Sequence, residues 1–147
     1  MAAIRTAEVT WSGDLLEGSG TITYVTSGAF TRLPVTWASR TEAPDGRTSP
    51  EELLAAAHAA CFSMAFSNQL GKNGTPPTRL DVKASVSFEK VDAGWKVASS
   101  ALTVRGEVPG IDEARFRELA EAAKDGCPIS GALQGNVALS VEATLAG

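Results

Sequence analysis

The sequence predicts an α+β fold, with antiparallel sheets around a long buried central helix. Three observations carry that expectation. Apolar and polar residues alternate with period two in both the first third and the second half of the chain. Between them lies one long apolar stretch, residues 53–66, rich in alanine and interrupted only by His58 and Ser63 among its polar positions. Single helices separate runs of strands, whereas a doubly wound fold alternates strand and helix throughout.

In chain order, Ala7, Val9 and Trp11 alternate with Glu8 and Thr10, and Ile22 and Tyr24 with Thr21 and Thr23. Leu33, Val35 and Trp37 alternate with Arg32, Pro34 and Thr36. All three read as half-buried strands, the third at an edge because Pro34 lacks a ladder donor. Residues 41–48 read as a polar loop. Ser49-Pro50-Glu51-Glu52 opens the central helix: Ser49 fits the N-cap, Pro50 the first helical position and Glu52 the capping-box position. The helix is expected to reach about Leu70, where Gly71 and Gly74 end it. Apolar residues lie all round it, which predicts burial on most sides.

After Thr75-Pro76-Pro77, the residues Leu80, Val82, Ala84, Val86 and Phe88 alternate with polar ones, and Asp92-Ala93-Gly94 turns the chain back. Trp95 and Val97 sit on odd positions but Leu102 and Val104 on even ones, so a bulge is expected near Ser99-Ser100. Asp112 caps a second helix with Phe116, Leu119, Ala120 and Ala123 on one stripe. Gly126 ends it, Cys127-Pro128 can start a short third helix, and Val137, Leu139, Val141, Ala143 and Leu145 form the last strand. The long strands of the second half have little to cover them, so one sheet face is expected to need a partner subunit.

Length and composition then narrow the function. The 147 residues suit one domain with its own core. With 44% hydrophobic and 20% charged residues the chain is globular. Thirteen basic residues against 17 acidic ones give a net charge of −4, which argues against a phosphate-tracking nucleic-acid module. Two cysteines and one histidine are too few for a Cys/His zinc site, so no metal and no cofactor is expected. The start of the chain lacks an apolar leader and the apolar run is short of a bilayer span, so the expected setting is the cytoplasm, away from membranes. A structural disulfide is not expected there, and what remains is a possible redox pair.

Cys61 lies mid-helix among apolar residues; alone it reads as a small buried hydrophobe. Cys127 precedes Pro128 at a possible helix start, where unpaired N–H groups favour a thiolate, although loops also hold inert cysteines. His58 precedes Cys61 by three residues and shares its face, either as a thiol-tuning imidazole or as a hydrogen-bonded core residue. Glu52 has a structural use in the capping box. Glu51 complements the helix dipole, and Arg40, expected at a strand end, reads alone as a surface charge.

These residues stand in a recognisable string. The run from Ser49-Pro50-Glu51-Glu52 through His58-Ala59-Ala60-Cys61-Phe62-Ser63-Met64 resembles the active-site helix of the OsmC/Ohr family of thiol peroxidases. Gly126-Cys127-Pro128-Ile129-Ser130 resembles its second-cysteine motif, while Val91-Asp92-Ala93-Gly94 and Val108-Pro109-Gly110-Ile111-Asp112 resemble the OsmC (osmotically inducible protein C-like) branch. The resemblance implies an intertwined homodimer and a cysteine-based peroxidase of hyperosmotic and oxidative stress. It implies Cys61 as peroxidatic cysteine, Cys127 as resolving cysteine and Glu51 as the active-site glutamate. Gly18-Ser19-Gly20 has no arginine beside it as the Ohr branch does, so Arg40 fits the OsmC placement, with Arg47 the fallback. His58 and Glu52 are possible supporting residues. The implied substrates are organic hydroperoxides ahead of hydrogen peroxide, and the implied reductant is a lipoyl-type dithiol.

The chemistry follows from the residue types. An arginine stabilises the Cys61 thiolate and Glu51 holds the guanidinium in a fork. The thiolate attacks peroxide to give a sulfenic acid, Cys127 condenses with it, and a dithiol resets the pair. In an unbroken helix Glu51 and Cys61 lie roughly 15 Å apart along the axis, so a site using both is most easily built from two chains. Two other classes share these residues: a redox-responsive small-molecule binding protein, which stops after one equivalent of oxidant, and a structural α+β dimer with inert thiols.

Overall fold

The structure, a computed structural model, describes residues 1–147. The order of elements is β1 (Ala7–Ser12), β2 (Ser19–Val25), β3 (Leu33–Val35), α1 (Trp37–Thr41), α2 (Pro50–Lys72), β4 (Arg79–Val91), β5 (Gly94–Glu107), α3 (Glu113–Gly126), α4 (Pro128–Leu133) and β6 (Ala138–Leu145). This is the expected α+β class. The chain divides into two compact units, Met1–Leu53 and Leu54–Gly147, with α2 beginning at the end of the first.

In the first unit, β1-β2-β3 form an antiparallel sheet, and β3 is an edge strand as Pro34 predicts. Two expectations fail here. The third strand stops at Val35, so Trp37 and Arg40 lie on a helix. Thr36 decides this: it accepts from the Ser39 N–H at 3.0 Å while its own N–H donates to Ser39 Oγ at 3.0 Å, a complete capping box. The second failure is β1, expected half-buried and exposed throughout, with Val9 and Trp11 59% and 41% accessible. Its alternation marks an apolar face that this chain leaves uncovered.

Ser49 caps α2 by accepting from the Glu52 N–H at 3.1 Å. The return bond is not made to Ser49; the Glu52 carboxylate accepts from the Thr48 hydroxyl at 2.9 Å. The helix runs two residues past Leu70, since Gly71 stays helical. Gly74, at φ +81°, is the terminator: Thr75 N–H reaches Leu70 O and Gly74 N–H reaches Gly71 O, both at 3.0 Å, a Schellman closure. Burial on most sides is not found. His58, Phe62, Phe66 and Leu70, each four residues on, form one buried stripe, while Ala56, Ala57, Ala60 and Met64 are exposed. The helix is apolar all round, and one chain covers only one side of it.

The second unit holds the sheet β4-β5-β6. β4 and β5 are a long antiparallel hairpin joined at Asp92-Ala93, with Gly94 at φ +125°. Ser87 pairs with Ser99 and Phe88 with Val97, so Ala98 is the extra residue of the expected bulge. β6 pairs with β5 in parallel, a departure from the antiparallel pairing of the other strands; an isolated Val35–Thr48 bridge is parallel as well. A parallel neighbour needs a crossover, and α3 and α4 supply it. Asp112 caps α3 as expected, accepting from Arg115 N–H at 2.8 Å, and buries Phe116, Leu119, Ala120 and Ala123.

That stripe meets Leu102 and Val104 of β5, Ala143 of β6 and the Phe62, Phe66 and Leu70 stripe of α2 in one core. The rings of Phe66 and Phe116 tilt together at 5.0 Å. Gly106 admits this packing, because a Cβ there would lie 2.7 Å from two Phe116 ring atoms and 3.0 Å from Leu80. Gly106→Ala is therefore expected to destabilise the fold by about 1–3 kcal/mol through overpacking. A urea midpoint equal to the parent's would contradict this.

Candidate functional site

The second unit brings Cys61 and Cys127 together. Cys61 sits mid-α2, one residue before buried Phe62; Cys127 closes α3 and is the N-cap of α4, with Pro128 at the first helical position. Both are free thiols, their sulfurs 2.8 Å apart. Closing that gap to the roughly 2.05 Å of a disulfide is a shift of under about 1 Å. Cys61 is half-buried and Cys127 is 1% exposed, so solvent reaches the first and not the second.

Two thiols this close titrate as a pair. Burial pushes Cys61 up, and its contact with Cys127 adds to that; the Ile129 N–H only partly offsets them. Burial also acts to raise Cys127. The hydrogen bond with Cys61, then the N–H and hydroxyl of Ser130 and the N–H of Ile129, outweigh it and leave Cys127 lowered.

His58 faces the core from the same helix. It is fully buried, with Nδ1 2.6 Å from Ser100 Oγ on β5 and Nε2 2.8 Å from Ser130 Oγ on α4. Burial lowers its pKa, so the imidazole is neutral near pH 7. Sequence reasoning did not find Ser100 or Ser130. Ser100 carried only the bulge signal, and Ser130 lay unremarked within the second-cysteine motif.

The first unit holds a charge pair. Arg40 Nε and Nη2 each donate to one oxygen of Glu51 at 2.9 Å, a two-point fork. Glu51 lies in the first turn of α2 and is buried; Arg40, on α1, is partly exposed. The Ser39 hydroxyl pins the intervening loop by donating to Thr48 O at 3.0 Å, and the Thr48 N–H reaches Pro34 O at 2.9 Å. The Arg40 guanidinium also lies 5.9 Å from the Trp37 ring centroid, at the edge of cation–π range. Arg47 is paired with Asp45 at 3.5 Å and is not the partner of Glu51. No group of three or more His, Cys, Asp or Glu side chains converges as metal ligands would, and no helix is long and apolar enough to cross a membrane.

Comparison with known proteins bears on this geometry. A family model described as OsmC-like protein matches residues 43–142. Over 142 residues the chain is 42% identical to peroxiredoxin OsmC of Escherichia coli, covering 97% of this chain and 98% of that protein. It is 33% identical over 91 residues to an organic hydroperoxide resistance protein of Xanthomonas axonopodis, covering 61% and 62%. The crystal structure of the organic hydroperoxide resistance protein OhrB of Bacillus subtilis superposes with a TM-score of 0.73 at 28% identity, over 95% of this chain and 98% of that one.

Proposed function

The chain belongs to the OsmC-like protein family and is a thiol-dependent peroxidase; from that premise we propose that Cys61 reduces organic hydroperoxides, and hydrogen peroxide more weakly, through a sulfenic acid that Cys127 resolves as a disulfide. The observation that carries this reading is the 2.8 Å approach of the two sulfurs. The thiolate of Cys61 takes the terminal peroxide oxygen and the alkoxide leaves as alcohol. Cys127 then displaces hydroxide from the sulfenic acid. A lipoyl-type dithiol reduces the disulfide by exchange, in the reducing setting of the cytoplasm. The greater exposure of Cys61 supports its role as the sulfur that meets substrate. Phe62 and Phe66 are closed off in the core, but the exposed Met64, three residues on from Cys61, is an apolar neighbour suited to an alkyl peroxide.

The unit of function in this reading is a homodimer, with Arg40 and Glu51 of one copy beside Cys61 of the other. Three features support it. The helix is continuous from Pro50 to Lys72, so Glu51 cannot fold back toward Cys61 through a break. Its Ala56, Ala57, Ala60 and Met64 side is apolar and exposed, as is the Val9 and Trp11 face of β1. Burial acts against the Cys61 thiolate, and a guanidinium already oriented by a carboxylate is a group that would favour it.

The test is turnover. With a lipoyl dithiol the protein is expected to consume many equivalents of tert-butyl hydroperoxide per chain, faster than hydrogen peroxide, and a monothiol to support the cycle poorly. Cys127→Ser is expected to react once at the parent rate and then over-oxidise. Consumption that stops at one equivalent in the unsubstituted protein would point to a sensor. Loss of the first turnover in Cys127→Ser would reverse the two cysteine roles.

A further inference from the structure

We propose that His58 is a positioning residue for the two cysteines: by holding Ser130 it ties α4 to α2, and so keeps Cys127 within bonding reach of Cys61. This rests on the reading of the cysteines as a pair that cycles through a disulfide, and it gives the buried histidine a part in that cycle.

Two contacts join the same two segments. Cys61 and Cys127 meet sulfur to sulfur at 2.8 Å, and His58 Nε2 meets Ser130 Oγ at 2.8 Å. His58 precedes Cys61 by three residues on α2, and Ser130 follows Cys127 by three, from the N-cap of α4 into its first turn. Residues at that spacing share a helix face, so the two contacts are neighbouring rungs one turn apart. The histidine rung is fixed at its other end as well, where His58 Nδ1 lies 2.6 Å from Ser100 Oγ on β5. His58, Ser100 and Ser130 are all buried. A neutral imidazole has one donor and one acceptor, and a hydroxyl can take either part, so both tautomers make both bonds. Breaking either bond strands a buried polar group, which costs more than an average hydrogen bond gains.

Little else holds α4. Ser130 is its buried residue; Pro128, Gly131 and Ala132 are exposed, and Ile129 and Leu133 are half-buried. None of its six residues belongs to the core that α2, α3 and the sheet share. The Cys127 N–H reaches Ala123 O at 2.9 Å, which fixes the chain as it leaves α3. The chain continuing into α4 is fixed by Ser130, so the sulfur between them is held from both sides. Forming the disulfide needs a shift of under about 1 Å, small enough for the rung to persist in both redox states. Rung and disulfide then support each other, since each lowers the ordering entropy that the other must overcome.

The quantity to measure is the effective concentration of Cys127 toward Cys61. The protein is equilibrated with reduced and oxidised glutathione, acid-quenched, and its disulfide fraction read by mass. In that exchange the protein disulfide takes up two hydrogens while two glutathione thiols become one glutathione disulfide. Ser130→Ala is expected to lower the effective concentration on the order of tenfold. His58→Phe should lower it at least as far, and the double variant no further than His58→Phe, because both remove one contact. His58→Gln, whose amide reaches the place of Nε2, is expected to keep most of the parent value. Asp112→Ala removes the cap at the far end of α3 and destabilises the fold, yet is expected to stay within about twofold of the parent.

An equal fall in Asp112→Ala would mean general loosening and overturns the tether. So does an unchanged value in a folded Ser130→Ala. His58 is the only histidine of the chain, so its ring N–H can be followed in the unsubstituted protein by ¹⁵N-edited NMR. Protection from exchange with water is expected in both the dithiol and the disulfide states; free exchange in either overturns the tether even if no variant folds. The titration uses no peroxide. A protein that titrates as expected but consumes no tert-butyl hydroperoxide loses the peroxidase reading alone, and one that turns over hydroperoxide while Ser130→Ala titrates like the parent loses the tether alone.

Discussion

Cys61→Ser loses peroxide consumption by a factor on the order of 10³ or more, because a serine hydroxyl at this position has neither the acidity nor the nucleophilicity of a thiolate. The substitution is nearly isosteric at a half-buried position, so the fold is expected to be retained and the loss to be chemical. Steady-state consumption of tert-butyl hydroperoxide with a dithiol present measures it, alongside a circular dichroism melt to show that the variant is folded. Retention of more than about a tenth of the parent rate would place the chemistry elsewhere. The contrast with Cys127→Ser is the sharper half of the result: one variant never starts, the other starts and cannot finish.

Arg40→Met is expected to lower kcat/KM on the order of 10²-fold or more, the range seen when a preorganised charge is removed from a reacting centre. It should also change the pH profile. Burial leaves Cys61 raised, so without the guanidinium the rate is expected to climb with pH well above neutrality, where the parent is already close to its plateau. The decisive form of the experiment mixes inactive subunits. If Arg40 of one copy serves Cys61 of the other, co-refolded Cys61→Ser and Arg40→Met chains produce heterodimers with one fully equipped site. Activity then returns to about a quarter of the parent value on statistical pairing. If each site draws both residues from one chain, neither partner carries a complete set and the mixture stays inactive. A dead mixture of folded heterodimers would therefore remove the shared-site reading.

Much of the fold could be read from the chain because its signals are local. Period-two alternation located the hairpin and its bulge, and Asp112 and the Phe116 stripe located α3, since each depends on neighbours within a few residues. The errors arose where a local pattern had two meanings. Leu33, Val35 and Trp37 alternate like a strand, but Thr36 and Ser39 cap each other, and that pair, three residues apart, outweighs the alternation. The central helix was expected to be buried on most sides because its composition is apolar throughout, yet composition does not say how many chains do the burying. The motif singled out the cysteines and Glu51, and the structure sets the two sulfurs 2.8 Å apart and pairs Glu51 with Arg40. The mutual arrangement of His58 with Ser100 and Ser130 was not legible, since it joins residues 42 and 72 positions apart. Serines carry no pattern that announces a buried partner. The choice between Arg40 and Arg47 as partner of Glu51 likewise depended on a turn of helix that the alternation concealed.

The place of Cys127 in the crossover between the parallel strands β5 and β6 has a thermodynamic consequence. A bond from there to mid-α2 closes a loop across 66 residues. Constraining an unfolded chain over such a span is worth about 4 kcal/mol in the loop-entropy account. By linkage, whatever the bond adds to the fold, the fold adds to the bond. In the proposed cycle the native framework would make the disulfide a weaker oxidant than the same pair in a loose chain, and a dithiol resetting it would work against the whole crossover.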